Sequence, residues 1–98
     1  MRINNKIVCT GFMCTANIFD TDPRDINDIN QVFAVALFAA GGETKSVTLC
    51  VKNIDDENYY VLVCGNEYYI YTDGISSMTS DDLLYAMSSM VAQYFRRK

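Results

Sequence analysis

Asp22-Pro23-Arg24-Asp25-Ile26-Asn27-Asp28-Ile29-Asn30-Gln31-Val32-Phe33-Ala34-Val35-Ala36-Leu37-Phe38-Ala39-Ala40-Gly41-Gly42 is the stretch on which the fold turns. Its front carries the signature of a helix start. Asp22 is placed to cap, Pro23 takes the first helical position where its missing N–H is no loss, and Asp25 stands at the third. Asp25 and Asp28 also lie near the positive end of the helix dipole. Ile26, Ile29, Phe33, Leu37 and Ala40 then recur as one stripe, and Gly41-Gly42 supplies a left-handed stop. These features predict an amphipathic helix. Its second half is unusual, because every residue from Val32 to Ala40 is apolar whereas a helix lying on a sheet turns a polar side to water. That half, with Phe38, is expected to be enclosed by other elements or pressed against a partner.

Downstream the period changes from helical to alternating. In Thr44 to Val51, Val47, Leu49 and Val51 share one face, while Ser46, Thr48 and Cys50 share the other. A polar connection centred on Asp55-Asp56-Glu57 comes next. Tyr59 to Cys64 and Glu67 to Thr72 flank Gly65-Asn66, a two-residue link suited to a hairpin turn. Such a turn sets Val61 opposite Ile70 and Val63 opposite Tyr68, leaving Tyr60, Leu62, Tyr69 and Tyr71 on the second side. The closing helix is capped by Thr79 with Asp82 three residues on, and Leu83, Met87, Met90 or Val91, and Tyr94 recur on one face. Upstream, Lys6 to Thr15 reads as a first strand with a bend or bulge at Gly11.

The expected order is therefore β-α-β-β-β-α. It describes one α+β domain over residues 1–98, with a small antiparallel sheet packed with two helices in two layers. Half the residues are hydrophobic, enough for a modest core without metal or disulfide. Cys9, Cys14, Cys50 and Cys64 sit in apolar or alternating segments and no export signal accompanies them, so they are expected to be reduced and mainly structural, in a cytoplasmic protein. No apolar run reaches the length of a membrane span.

Twelve acidic residues against eight basic ones leave a net charge of -4, which repels nucleic-acid phosphate and argues against direct nucleic-acid binding. Catalysis finds little support: the chain has no histidine, no phosphate-cradling glycine motif and no serine elbow. Pro23 and the missing turn glycine break an EF-hand pattern around Asp20, Asp22 and Asp28, and the cysteine spacings form no zinc knuckle. Neither a metal nor a cofactor is expected.

Two binding surfaces remain. Tyr60, Leu62, Tyr69 and Tyr71, with Phe38, offer an apolar, Tyr-rich surface for another protein or a second copy of the chain. Both sides of the hairpin are more apolar than a solvated sheet face requires. Asp20, Asp28, Asp55, Asp56 and Glu57 offer acidic recognition, either of a basic protein or, as an alternative function, by imitating nucleic acid to inhibit a phage or host nucleic-acid-processing enzyme. Helix capping and loop solvation already account for most of these acids. The leading expectation is a noncatalytic protein-binding adaptor or inhibitor.

The αβββα order of Pro23 to Lys98 resembles that of double-stranded RNA-binding domains, although Ser80-Asp81-Asp82 opens the last helix where those domains usually present lysines. The same stretch is similar in element order to the latter part of dynein-light-chain roadblock domains, a likeness that implies a dimeric scaffold.

Overall fold

In the computed structural model, which describes residues 6–15, 18–27, 31–72, 75 and 78–96, five antiparallel strands precede one helix. The strands are β1 (Val8–Cys14), β2 (Val32–Ala40), β3 (Glu43–Ile54), β4 (Glu57–Cys64) and β5 (Glu67–Tyr71), and the helix is α1 (Ser80–Arg96). Neighbours in sequence are neighbours in the sheet, so the domain is an α+β meander.

The expected first helix is absent. Its start signal is genuine but short: Asp22 Oδ1 accepts a hydrogen bond from Arg24 N at 2.9 Å, and Ile26 N closes a single 3-10 turn, Pro23–Asp25, onto Pro23 O at 3.1 Å. Ile26 is already extended, with ψ 124°. Asp28 and Ile29 lie outside the described residues. Asn and Asp contribute little to helix propagation, and the apolar run from Val32 onward is β2. A continuous apolar run suits an inner strand as well as an enclosed helix.

Gly41 and Gly42 decide between the two. Both have positive φ, 58° and 82°, and they form the two-residue turn that folds β3 back on β2, with Ala40 opposite Glu43. Asp55 and Asp56, at φ 53° and 68°, make the same kind of turn between β3 and β4. Gly65, at φ 62°, turns β4 into β5. Loss of the first helix also removes the αβββα order on which the likeness to RNA-binding and roadblock domains rested.

Where the expectations concerned alternation, they match the ladder. Val61 pairs with Ile70, Val63 with Tyr68, Tyr60 with Tyr71 and Leu62 with Tyr69. Register between β1 and β2 shifts between Cys9 and Gly11, a bulge beside the predicted glycine. The α1 cap is reciprocal: Thr79 N donates to Asp82 Oδ2 at 3.0 Å and Asp82 N to Thr79 Oγ1 at 3.2 Å. Leu83, Met87 and Val91 then bury one stripe of α1 on Val47, Leu49 and Leu62 of the sheet.

Candidate functional site

One face of the sheet is covered and the other is largely open, with Val61 buried on it among its strand neighbours. On the covered face α1 packs on β1 to β4, and Ile18, Phe19 and Ile26 of the connection between β1 and β2 also pack against the core. Tyr60 pins that connection. Its ring meets Phe33 edge to face, with centroids 5.7 Å apart, and its hydroxyl is shared between Ile18 O at 3.4 Å and Thr21 O at 3.2 Å. Burial, with a smaller contribution from the Asp22 charge, pushes the Tyr60 phenol up from its ordinary pKa. Asn58 adds a second tie, donating to Ile26 O at 3.1 Å.

The Tyr-rich surface is therefore divided. Tyr60, Leu62 and Phe38 are all core residues, no more than 1 % exposed. Tyr69, at 58 %, is open to solvent on the same face, and Tyr71 is partly covered. The division has a simple cause, since α1 packs on the first four strands but makes little contact with β5. A groove of about 440 Å³ results, bounded by Leu62, Tyr69 and Tyr71 on the sheet and by Met78, Ala86 and Met90 on the helical side. Tyr69 and Tyr71 meet edge to face across 5.1 Å.

The acidic residues are likewise separated. Asp20 and Glu57, distant in sequence, border one depression of about 520 Å³ together with Asp22. Arg24, on the same depression, is held by Asp22 through a 2.7 Å ion pair. That bond holds the Asp22 carboxyl down to about 2. Asp55 and Asp56 are exposed in the neighbouring turn and do not line the depression. Asp28 is outside the described residues.

Tyr71 borders both the groove and the acidic depression. Its hydroxyl oxygen is buried without a hydrogen-bond partner among the described residues. Burial, reinforced by Tyr69, pushes this phenol up to about 12. No alternating pattern reveals such a junction, because Asp20 and Asp22 reach it from a segment distant from Tyr71 in the chain.

On the open face the signal is mixed. Val32, Leu37 and Met13 are exposed, but Thr44, Ser46 and Thr48 run down the same face of β3 and separate these residues from Val63 and Tyr68. Lys52 Nζ lies 5.3 Å from the centre of the Tyr68 ring. That face is partly furnished for water, whereas the β5 groove is mainly apolar, with Glu67, Ser89 and Gln93 as its polar lining.

The four cysteines are all free thiols, and Cys64 is buried. Burial raises the Cys14, Cys50 and Cys64 thiols above their usual range, opposing thiolate formation. No group of three or more candidate ligands is placed to hold a metal among the described residues. No helix among them is long and apolar enough to cross a membrane.

The architecture is thus a five-stranded meander with a helix on one face and, among the described residues, an edge strand that the helix barely touches. Comparison with protein-family models, with curated proteins and with solved structures yields no match.

Proposed function

We propose that this domain is a noncatalytic protein-binding module, an adaptor or an inhibitor, which meets its partner along β5 and the groove behind it. The observation that carries the proposal is the contrast between Tyr69 and the adjoining core residues. Tyr69 is 58 % exposed beside Tyr60 and Leu62, which are no more than 1 % exposed. A large aromatic at the rim of an apolar groove is the kind of residue that supplies binding energy when a partner excludes water from it. The absence of histidine from the chain removes the usual near-neutral general base and supports a noncatalytic role.

Site-specific photo-crosslinking tests this. A photoreactive side chain at position 69 is expected to capture a discrete protein in cells. The same group at position 85, where Tyr85 is 75 % exposed on the outer side of α1, is expected to capture none. Equal labelling from both positions, or capture from position 85 alone, would overturn the proposal.

The nucleic-acid-mimic alternative draws on one observation, the convergence of Asp20, Asp22 and Glu57 on a single depression. Arg24 interrupts that charge and is held by one of the three carboxylates. A continuous row imitating phosphates is therefore less well supported than a local preference for cations beside the groove.

A further inference from the structure

We infer that the free edge of β5 takes up an extended peptide as a sixth strand. The peptide would alternate apolar side chains and carry a lysine or arginine at the end lying beside Tyr71. This rests on the protein-binding role proposed above and specifies the partner's chemistry.

The first support is the backbone. Among the described residues β5 pairs with β4 alone, which leaves its outer ladder positions open there. In a two-residue hairpin the pair closing the turn exchanges both hydrogen bonds, and bonded pairs then recur at every second residue. Cys64 and Glu67 close this turn. Glu67, Tyr69 and Tyr71 therefore bond inward, while Tyr68 and Ile70 direct their N–H and C=O groups outward. Free edges are commonly blunted by lysine, proline or a bulge. Glu67-Tyr68-Tyr69-Ile70-Tyr71 contains neither lysine nor proline, its one charge is Glu67 at the turn end, and its register with β4 is unbroken. The other edge strand, β1, is interrupted by its bulge.

The second support is the groove. Side chains of an added strand alternate between faces, so those on the helical side would lie against Tyr69 and the groove that Ala86 and Met90 border. An edge supplying backbone bonds beside pockets that select alternate side chains is a recurrent means of peptide recognition.

Charge then chooses between occupants. Beyond Tyr71 the surface opens on Asp20, Asp22 and Glu57, with Arg24 the only cation among the described residues bordering that depression. A second copy paired antiparallel on the same edge would bring its Glu67 toward this end, placing like charge beside like. A basic peptide end instead finds complementary charge.

Isotope-labelled full-length protein would be titrated with blocked peptides of alternating valine and threonine, bearing two arginines at either the N- or the C-terminal end. One arginine peptide is expected to bind saturably and to slow amide exchange at Tyr68 and Ile70 at least tenfold. Replacing its arginines by glutamates should weaken binding at least tenfold, and Glu57→Gln should weaken the arginine peptide severalfold. N-methylating peptide bonds of one parity should abolish binding, while the other parity should leave it. Tyr68→Pro removes an outward donor where an edge strand tolerates proline, and should abolish binding while the domain stays folded. If that variant unfolds, the N-methylated peptides decide.

Peptide binding indifferent to parity would overturn the inference, as would shifts confined to Val32 and Leu37. So would protection of Tyr68 and Ile70 that grows with protein concentration alone, the mark of a second copy. If crosslinking from position 69 succeeds but neither arginine peptide binds at millimolar concentration, edge pairing fails and the broader binding role stands. If both fail, both fall.

Discussion

Two stretches of this chain begin with the same chemistry and end differently. At Asp22 a carboxylate caps a proline-led turn, and at Thr79 a hydroxyl and Asp82 cap one another. The first signal yields three residues of 3-10 turn, the second the 17-residue α1. A cap satisfies amides at one end of a turn, so it marks where winding starts, while the residues beyond it set the length. After Thr79 comes a stripe with a sheet to bury it. After Asp22 come residues that propagate a helix poorly, then an apolar run that two neighbouring strands can pair.

The sharpest way to break this comparison is to test parity in the Val32–Ala40 segment. Phe38→Ala should cost about 3–5 kcal/mol in urea unfolding, as for any buried aromatic truncated to a cavity. Leu37→Ala, on the open face, should cost under about 1.5 kcal/mol because less of its surface leaves water. Equal losses would restore an element enclosed on all sides.

Next in size is a comparison of turns. A methyl group at Gly41 meets nothing within 4 Å, whereas one at Gly65 meets Tyr94 Oη at 2.6 Å. Gly41→Ala is expected to cost about 1–2 kcal/mol for the left-handed backbone alone. Gly65→Ala should cost more, and part of the excess should vanish in a Tyr94→Leu background. An additive double-mutant cycle would refute contact between this turn and α1.

The caps themselves should differ less. Thr79→Ala is expected to lower stability by about 1 kcal/mol and to fray α1 by circular dichroism. Asp22→Ala should leave the helical signal unchanged, because Asp22 caps no α-helix. Its depressed carboxyl contributes above the ordinary carboxylate range, and that contribution is lost as pH falls through about 2. Solvent exposure keeps the effect small.

The smallest effect belongs to Tyr71. Its raised pKa means that the folded state favours the neutral phenol. The associated stability is present below the ordinary value near about 10 and is lost as pH rises through about 12. Tyr71→Phe should remove that alkaline loss and, by deleting an unpartnered hydroxyl, leave neutral-pH stability unchanged or slightly raised. Alkaline melts of both proteins check this.

Of the candidate site, the alternation of β4 and β5 and their register through Gly65-Asn66 could be read directly, because side-chain direction in a strand depends on position alone. Which tyrosines are covered could not. Tyr60 and Tyr69 share a face, and only the placement of α1 and the β1–β2 connection separates a core ring from an exposed one. The apolar excess in Val32–Ala40 was legible too, but its period was not. With both parities apolar, a strand and an enclosed helix give the same pattern.

By itself, then, the sequence determined the local events: the turn at Asp22, the cap at Thr79, the alternating strands and the hairpin register. Each depends on residues within a few positions of one another. Tertiary structure decided that Gly41-Gly42 turns a hairpin and does not stop a helix. It also decided that α1 makes little contact with β5 and that Tyr71 joins the groove to the acidic depression. These outcomes depend on which distant segments exclude water from one another, a competition that no short window of residues contains.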